Sequence, residues 1–300
     1  METNAAPVAT PTFSAPASPP EPAWSPPVRY ELTTRWEEFA NEEHRQTLLT
    51  KQVQVRLRPL ARGRALWLHT TAPQLSRKDT VQLLEQLALQ AAALYEHIIV
   101  ELTPDGQLVR LLNYPELCQA WATLKAALLA EAAAEDQLTR KLVELLEKQV
   151  TQEEKVLYSL RHDYMYQALA QAVSLAHGVA RSAEGVSREF SEFFPHSSLW
   201  FAEANATVAV EQLNVRFALR GVLDQAKTDV PAIQQLMRAA LGLPAAAAGD
   251  AAGPAPHFGY EATYAVEQAT GVLTELTLTV YARLAQLYNK QYTLTVHRLS

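Results

Sequence analysis

The sequence predicts an α+β protein in which antiparallel strands are interrupted by a long helical insertion. Segments in both halves of the chain alternate apolar and polar residues, as half-buried strands do. Between them, residues 107–177 contain no glycine and residues 116–194 contain no proline, which is typical of long helices. We expect antiparallel sheet built from two diverged ββ-α-ββ units, with the helices inserted between the units.

The first α+β unit is expected at residues 28–113. Apolar residues occupy every second position from Val28 and again from Val53, which predicts strands with one buried face. A helix is predicted over 79–95. A hairpin with a turn at 103–106 then completes the unit, because proline and glycine stand there at the positions that such a turn favours.

The helical insertion is expected at residues 114–200. Asn113 stands where a helix cap is needed, and Pro115 fits the first helical turn. We predict one helix through about Gln149 and a second that begins at a Thr151 cap.

The second α+β unit is expected at residues 201–300. One or two strands precede a helix over 229–241, and residues 242–257 form a flexible connection by their alanine, glycine and proline content. Alternation then resumes at Tyr260, and a last strand is predicted over 292–296. The hairpins of the two units share a Val-Glu pair before the turn, which is the basis for proposing a duplication.

An N-terminal tail is expected before this domain. Residues 1–27 hold eight of the seventeen prolines and only two charged residues, Glu2 and Glu21. Such a segment buries too little apolar surface to offset its ordering entropy, so we predict a disordered tail. Residues 28–300 are then expected to form one compact domain.

Composition and charge exclude several classes of protein. The net charge of −6 argues against a nucleic-acid partner, which requires a concentrated basic surface. A single cysteine, Cys118, rules out an intrachain disulfide. Neither a signal peptide nor an apolar run near the ~20 residues that span a bilayer is present, so we expect a cytoplasmic protein without a membrane span.

No motif predicts a cofactor, a metal or a catalytic residue. The sequence lacks a Walker loop, a dinucleotide fingerprint, a Gly-x-Ser-x-Gly elbow and a His-Glu-x-x-His helix. The eight histidines show no metal-ligand spacing with the cysteine or with one another. His162 and Asp163 are adjacent, but neighbours on a helix point about 100° apart, so an exposed pair is favoured over a catalytic dyad.

Aromatic residues crowd the segment after the helices, around the Phe-Phe-Pro-His sequence at 193–196. An aromatic loop with polar tips can form an interface hot spot, and the alternative is a hydrophobic contact that seats the loop on the core. The interaction candidates are Phe193, Phe194, His196, Trp200 and Phe201.

Three functions remain open at this point. The first is a non-catalytic interaction or assembly component of a bacterial intracellular complex, with a protein partner or a homo-oligomer. The second is a carrier of a small apolar ligand in a cavity under the sheet. The third is an enzyme with a dispersed site that uses His162 or His196. The cavity candidates are the inward residues Tyr260, Tyr264, Leu276 and Leu278.

Overall fold

Twelve strands among the described residues form one sheet in which every pairing is antiparallel. The computed structural model describes residues 23–76, 89, 91–131, 136–176, 186–211, 213–244 and 254–300. The strands are Val28–Ala40 (β1), Glu43–Leu60 (β2), Gly63–Thr70 (β3), Gln74–Ser76 (β4), His97–Leu102 (β5), Leu108–Leu111 (β6), Ser187–Phe194 (β7), Ser197–Glu211 (β8), Asn214–Leu223 (β9), His257–Glu267 (β10), Leu273–Leu284 (β11) and Tyr288–Arg298 (β12).

The order of strands joins the two halves of the chain at the middle of the sheet. The order is β6-β5-β3-β2-β1-β12-β11-β10-β9-β8-β7, and β4 pairs with β2. The first and last strands of this set, β1 and β12, are therefore neighbours, paired from Tyr30 with Arg298 to Ala40 with Tyr288. The sheet and the accompanying helices confirm the α+β class.

Five α-helices accompany the sheet in the described residues. They are Tyr114–Glu131 (α1), Gln137–Val150 (α2), Glu153–His162 (α3), Tyr164–Ala176 (α4) and Val230–Ala240 (α5), and a 3-10 turn covers Ala93–Tyr95. Asp229 caps α5 by accepting a hydrogen bond from the Ala232 amide at 3.0 Å. None of these helices combines the length and apolarity that crossing a membrane requires.

Helix α3 bridges the two ends of the sheet. Arg161 donates from Nε to the Leu108 carbonyl of β6 at 2.8 Å. The next residue, His162, pairs through Nε2 with the Glu189 carboxylate of β7 at 2.9 Å. In a flat sheet, ten strand spacings of about 4.8 Å would hold these edges about 48 Å apart. The sheet must therefore curl so that its two edges meet at α3. We call the pair Arg161 and His162 the edge bridge.

Helix α4 occupies the space that the curled sheet encloses. Ten of its thirteen residues are buried, including polar Gln171 and Ser174. A helix that is apolar on nearly all sides needs burial on nearly all sides, and this one obtains it from the sheet. At its start, Tyr164 packs edge-on against Tyr292 of β12 with ring centroids 4.7 Å apart.

The helices differ from the sequence prediction in two places. The helix predicted through Gln149 is two helices, and α2 starts at an Asp136 cap that accepts from the Thr139 amide at 3.0 Å. The second predicted helix breaks at Asp163, whose carboxylate caps α4 by accepting from the Met165 amide at 2.8 Å. An aspartate can start a new helix without help from glycine or proline, the breakers used for the prediction.

The predicted caps at Asn113 and Thr151 have other roles. The Asn113 side chain is buried and bonds to β5: it accepts from the Ile99 amide at 2.8 Å and donates to the His97 carbonyl at 2.9 Å. The Thr151 hydroxyl donates to the Glu147 carbonyl at 2.6 Å and so ends α2. Asn113 therefore ties the start of α1 to the sheet, because both polar groups of its side chain bond to β5.

The insertion expected at 114–200 is helical only in its first part, within the described residues. Ser187–Phe194 and Ser197–Glu211 are strands, so the aromatic segment belongs to the sheet. The predicted helix 79–95 lies mostly outside the described residues, as do residues 1–22 of the predicted tail and 245–253 of the predicted connection.

Gly63, the first residue of β3, stands where the neighbouring strand β5 comes very close. Its φ is +116°, and an added Cβ would lie 2.0 Å from the Leu102 carbonyl oxygen of β5. We expect Gly63→Ala to lower the free energy of unfolding by at least about 2 kcal/mol through backbone strain and the clash.

Gly242→Ala is the matched control, because its φ is +65° but no atom lies within 4 Å of an added Cβ. It should cost only about 1 kcal/mol. Urea unfolding of both variants measures the difference, and equal losses would contradict the close approach of β5.

Candidate functional site

An apolar pocket of about 320 Å³ lies between the inner face of the sheet and α4. Tyr30 of β1 and Val55 of β2 form its sheet wall, and Leu169 and Val173 form its helix wall. The turn between β10 and β11, at Gly271, closes one end. The pocket is open to solvent on one side, and most of its lining residues are apolar.

Residues 23–25 form a further wall of the pocket. The Ser25 amide donates to the Leu57 carbonyl at 2.8 Å, and the Leu57 amide donates to Ser25 Oγ at 2.9 Å. Trp24 lines the pocket, and the Arg58 guanidinium stacks over its ring at 4.8 Å from the centroid. The end of the segment predicted as a tail is thus hydrogen-bonded along β2.

Arg64 is the one charged residue in the lining of the apolar pocket. Burial lowers the pKa of its guanidinium, although the group stays charged at neutral pH. In the described part of the chain, no carboxylate forms an ion pair with Arg64. The pocket therefore offers apolar walls and one cation whose counter-charge the described residues do not supply.

A second, more polar pocket of about 450 Å³ opens between the edge strands β6 and β7. Beneath it, Arg188 donates from Nε to Glu203 Oε1 at 2.7 Å, and its Nη2 donates to the side-chain oxygen Oε1 of Gln171. Tyr260 donates to Glu203 Oε1 at 2.9 Å, and Tyr264 donates to the Gln171 side-chain oxygen at 2.9 Å. We call these five residues the polar network.

The polar network serves as an internal support of the fold. The side chains of Arg188 and Glu203 are only 10% and 2% exposed, so their ion pair is buried. Desolvation lowers the pKa of Arg188, but Tyr260 and Glu203 outweigh it and the pKa is raised overall. Because these groups are bonded to one another, a ligand would have to displace a partner to use them.

His162 has two partners and forms no catalytic dyad with Asp163. Its Nε2 lies 2.9 Å from Glu189 Oε2, and its Nδ1 lies 2.6 Å from the Tyr158 carbonyl. Ser198 donates to the other oxygen of Glu189 at 2.7 Å. The serine hydroxyl therefore faces the carboxylate and not the imidazole, which is the wrong order for a nucleophile and its base.

The five interaction candidates fall into two groups. Phe193, Phe194 and Phe201 are at most 2% exposed, and they pack into the core from β7 and β8. Trp200 is half-buried beside the polar pocket, and His196 is exposed in the turn between the strands. The three phenylalanines thus match the alternative interpretation, a hydrophobic contact with the chain's own core.

The four cavity candidates are buried but do not line the apolar pocket. Tyr260 and Tyr264 belong to the polar network, and Tyr260 packs against Phe190 with ring centroids 5.0 Å apart. Leu276 and Leu278 are at most 1% exposed. All four are buried, whereas the apolar pocket lies closer to β1 and β2.

Lys51 is a half-buried cation that sequence reasoning missed. It lines a third pocket of about 320 Å³ with Tyr95 and Tyr166. Burial lowers the pKa of its amine, and the charge of Asp163 partly opposes that shift. Lys51 stands two residues before Val53 on the inward positions of β2, so alternation alone assigns it to the inner face.

Comparison with known proteins leaves the family open. No family model matches the sequence, and no curated protein matches it. A structure described as "Lipid-protein interactions in lipovitellin" is similar with a TM-score of 0.45 and 8% identity, over 93% of this chain. The chain spans about a quarter of the length of that protein, 25%. The dehydratase domain from the CurJ module of Curacin polyketide synthase aligns at a TM-score of 0.11 and 8% identity, over 89% of this chain and 75% of that one. At these TM-scores neither likeness bears on fold or function.

Neutralising Glu203 should destabilise the fold strongly. Glu203→Gln removes the carboxylate that pairs with the buried Arg188 charge in the described part of the chain, and we expect a loss of about 3–5 kcal/mol in the free energy of unfolding. Glu261→Gln is the control, because the Glu261–Arg220 pair lies at 3.6 Å with both side chains more than half exposed. Urea unfolding that gave the two variants equal midpoints would contradict the role of the polar network.

Proposed function

We propose that this protein binds and carries a small amphipathic molecule with an apolar body and an anionic group. The apolar pocket beside α4 is the observation that supports this function. Its volume of about 320 Å³ lies at the lower end of the range for small-molecule sites. A site of this kind needs no catalytic group, in agreement with the non-catalytic function predicted from the sequence.

Arg64 defines the polar end of the proposed ligand. A guanidinium binds carboxylate or phosphate oxygens through two parallel hydrogen bonds. The remaining walls, formed by residues such as Val55, Leu169 and Val173, favour a hydrocarbon chain. We therefore propose a carboxylate-bearing hydrocarbon as the ligand class.

The interaction function predicted from the sequence is retained as a second proposal, at a different surface. Val208, Val210 and Leu213 at the end of the β8–β9 hairpin are 57%, 66% and 74% exposed. Val208 and Val210 lie on one face of β8, because they are two residues apart on a strand. Adjacent exposed apolar residues are typical of a surface that a protein partner or a second copy of the chain covers.

The two-unit organisation also remains a proposal, and the strand order supports it. The strands β2, β3, β5 and β6 are consecutive neighbours in the sheet, and so are β8, β9, β10 and β11. In each set, a longer connection separates the second strand from the third, and in the second set it contains α5. The cytoplasmic location stays a prediction from sequence.

Decanoate is a suitable probe for the apolar pocket. We expect it to bind the full chain in isothermal titration calorimetry, and Arg64→Gln to weaken it at least tenfold, because a charge-assisted hydrogen bond contributes ~1.5–3 kcal/mol. Val173→Trp should abolish binding by filling the pocket. Arg62→Gln, at an exposed arginine two residues earlier in the turn before β3, should leave the affinity unchanged.

The two pocket variants separate the parts of this proposal. Decanoate that binds Val173→Trp as tightly as the unmodified chain would place the ligand elsewhere and overturn the site. Equal affinity of Arg64→Gln and Arg62→Gln, with binding still lost in Val173→Trp, would retain the pocket but reject the anionic group.

Native mass spectrometry tests the hairpin surface. We expect assemblies heavier than the 33.2 kDa chain, and Val210→Glu should dissociate them because a charge would be buried in the interface. Val222→Glu, at a site that is 64% exposed on β9, is the control and should leave them intact. A monomer for the unmodified chain at micromolar concentration would contradict self-association.

A further inference from the structure

Two histidines and a glutamate meet where β3 ends and β5 begins. His69 and His97 are directly opposite each other in the antiparallel pairing of these strands, and Glu96 immediately precedes β5. One ligand atom from each of the three side chains lies within 4.8 Å of the other two. The rings of His69 and His97 stack with centroids 4.3 Å apart.

The separations of these atoms are close to those of a metal site. Glu96 Oε1 lies 3.7 Å from His69 Nδ1 and 4.0 Å from His97 Nε2. Two ligand atoms bound tetrahedrally to one zinc ion at about 2.1 Å would lie about 3.4 Å apart. The Glu96 and His97 side chains are 48% and 59% exposed, so rotation about their own bonds can bring the atoms closer.

The backbone that carries the three residues is held on both sides. The Thr70 amide donates to the Glu96 carbonyl at 2.8 Å, and the Thr70 hydroxyl donates to the Tyr95 carbonyl at 3.2 Å. From the other side, Asn113 donates to the His97 carbonyl at 2.9 Å. A fixed backbone reduces the entropy lost when the side chains converge on an ion.

The Nδ1 atom of His69 is a second observation that points to a metal ligand. This atom is buried and has no hydrogen-bond partner within the described part of the chain. A buried polar atom without a partner costs about 1–3 kcal/mol. A metal ion at this position would satisfy Nδ1 and would also neutralise the Glu96 carboxylate beside it.

We propose that His69, Glu96 and His97 form a binding site for a divalent transition-metal ion such as Zn²⁺. Imidazole nitrogens with a carboxylate oxygen suit Zn²⁺, Cu²⁺ and Ni²⁺ better than Mg²⁺ or Ca²⁺, which prefer oxygen ligands. Three protein ligands leave a fourth position for water or another small ligand. The site is separate from the apolar pocket, so neither proposal depends on the other.

Zinc titration of the full chain, freed of metal by a chelator that is then removed, tests the proposal. Calorimetry should show one ion per chain, and His97→Ala should weaken binding at least tenfold. His69→Ala and Glu96→Gln should act in the same direction. His44→Ala is the matched control. His44 is exposed and lies 3.8 Å from Glu37, but no second histidine joins this pair among the described residues.

The fluorescence of Trp67 can show whether the ion binds beside His69 and His97. Its ring centroid lies 6.0 Å from that of His69 and 6.4 Å from that of His97, so bound Cu²⁺ should quench its fluorescence. Trp67→Phe should remove most of this quenching without removing Cu²⁺ binding.

Two results would overturn the site: no binding of one Zn²⁺ per chain, or equal affinity for His97→Ala and His44→Ala. Because His69 is largely buried, circular dichroism must first show that His69→Ala is folded. His97→Ala decides the outcome if His69→Ala is not.

Discussion

The edge bridge, which joins β6 to β7, is the constraint on which the rest of the structure depends. Arg161 and His162 are consecutive residues, yet one bonds to β6 and the other to β7. A sheet held at both edges by one helical turn cannot lie flat. The Arg161 bond also satisfies one backbone carbonyl of the edge strand β6, where unpaired groups otherwise invite pairing with other chains.

A curled sheet creates an interior that has to be filled, and three kinds of filling are present. Helix α4 supplies most of the volume with small and apolar side chains. The polar network fills the space below the β6–β7 edges, where a buried ion pair is tolerated because tyrosine and glutamine complete its hydrogen bonds. Near β1 and β2 the filling is incomplete, and the apolar pocket remains. The same curvature thus accounts for the buried charges and for the space left to a ligand.

Local patterns in the sequence predicted strands and their buried faces better than they predicted which strands pair with one another. Alternation at Val53 and Val55 identifies β2 and its inner face, because period two is a property of the single strand. The aromatic segment was harder, since the pairing of β7 with β8 shifts between Phe190 and Phe194 and interrupts the alternation. The break at Asp163 was missed because aspartate stops a helix only when its side chain caps the next one.

The candidate sites were mostly beyond local prediction for a related reason. His69 and His97 have no ligand spacing along the chain, and only the register of β3 against β5 brings them together. Arg64 lies in the lining of a pocket walled by α4, and that position depends on how the sheet closes. Spacing rules find sites built within one element, whereas these are assembled from several.

The pairing of β1 with β12 has a consequence for how the chain acquires its structure during synthesis. Glu38 of β1 and Tyr288 of β12 are hydrogen-bonded at 2.6 Å and stand 250 residues apart. The ribosome therefore releases β1 long before β12 has been made, and the side of β1 that pairs with β12 stays unpaired until then. Contacts of such separation form slowly, so the nascent chain stays open at the centre of its sheet until β12 has been synthesised. During that interval the backbone groups on one side of β1 are exposed to pairing with other chains.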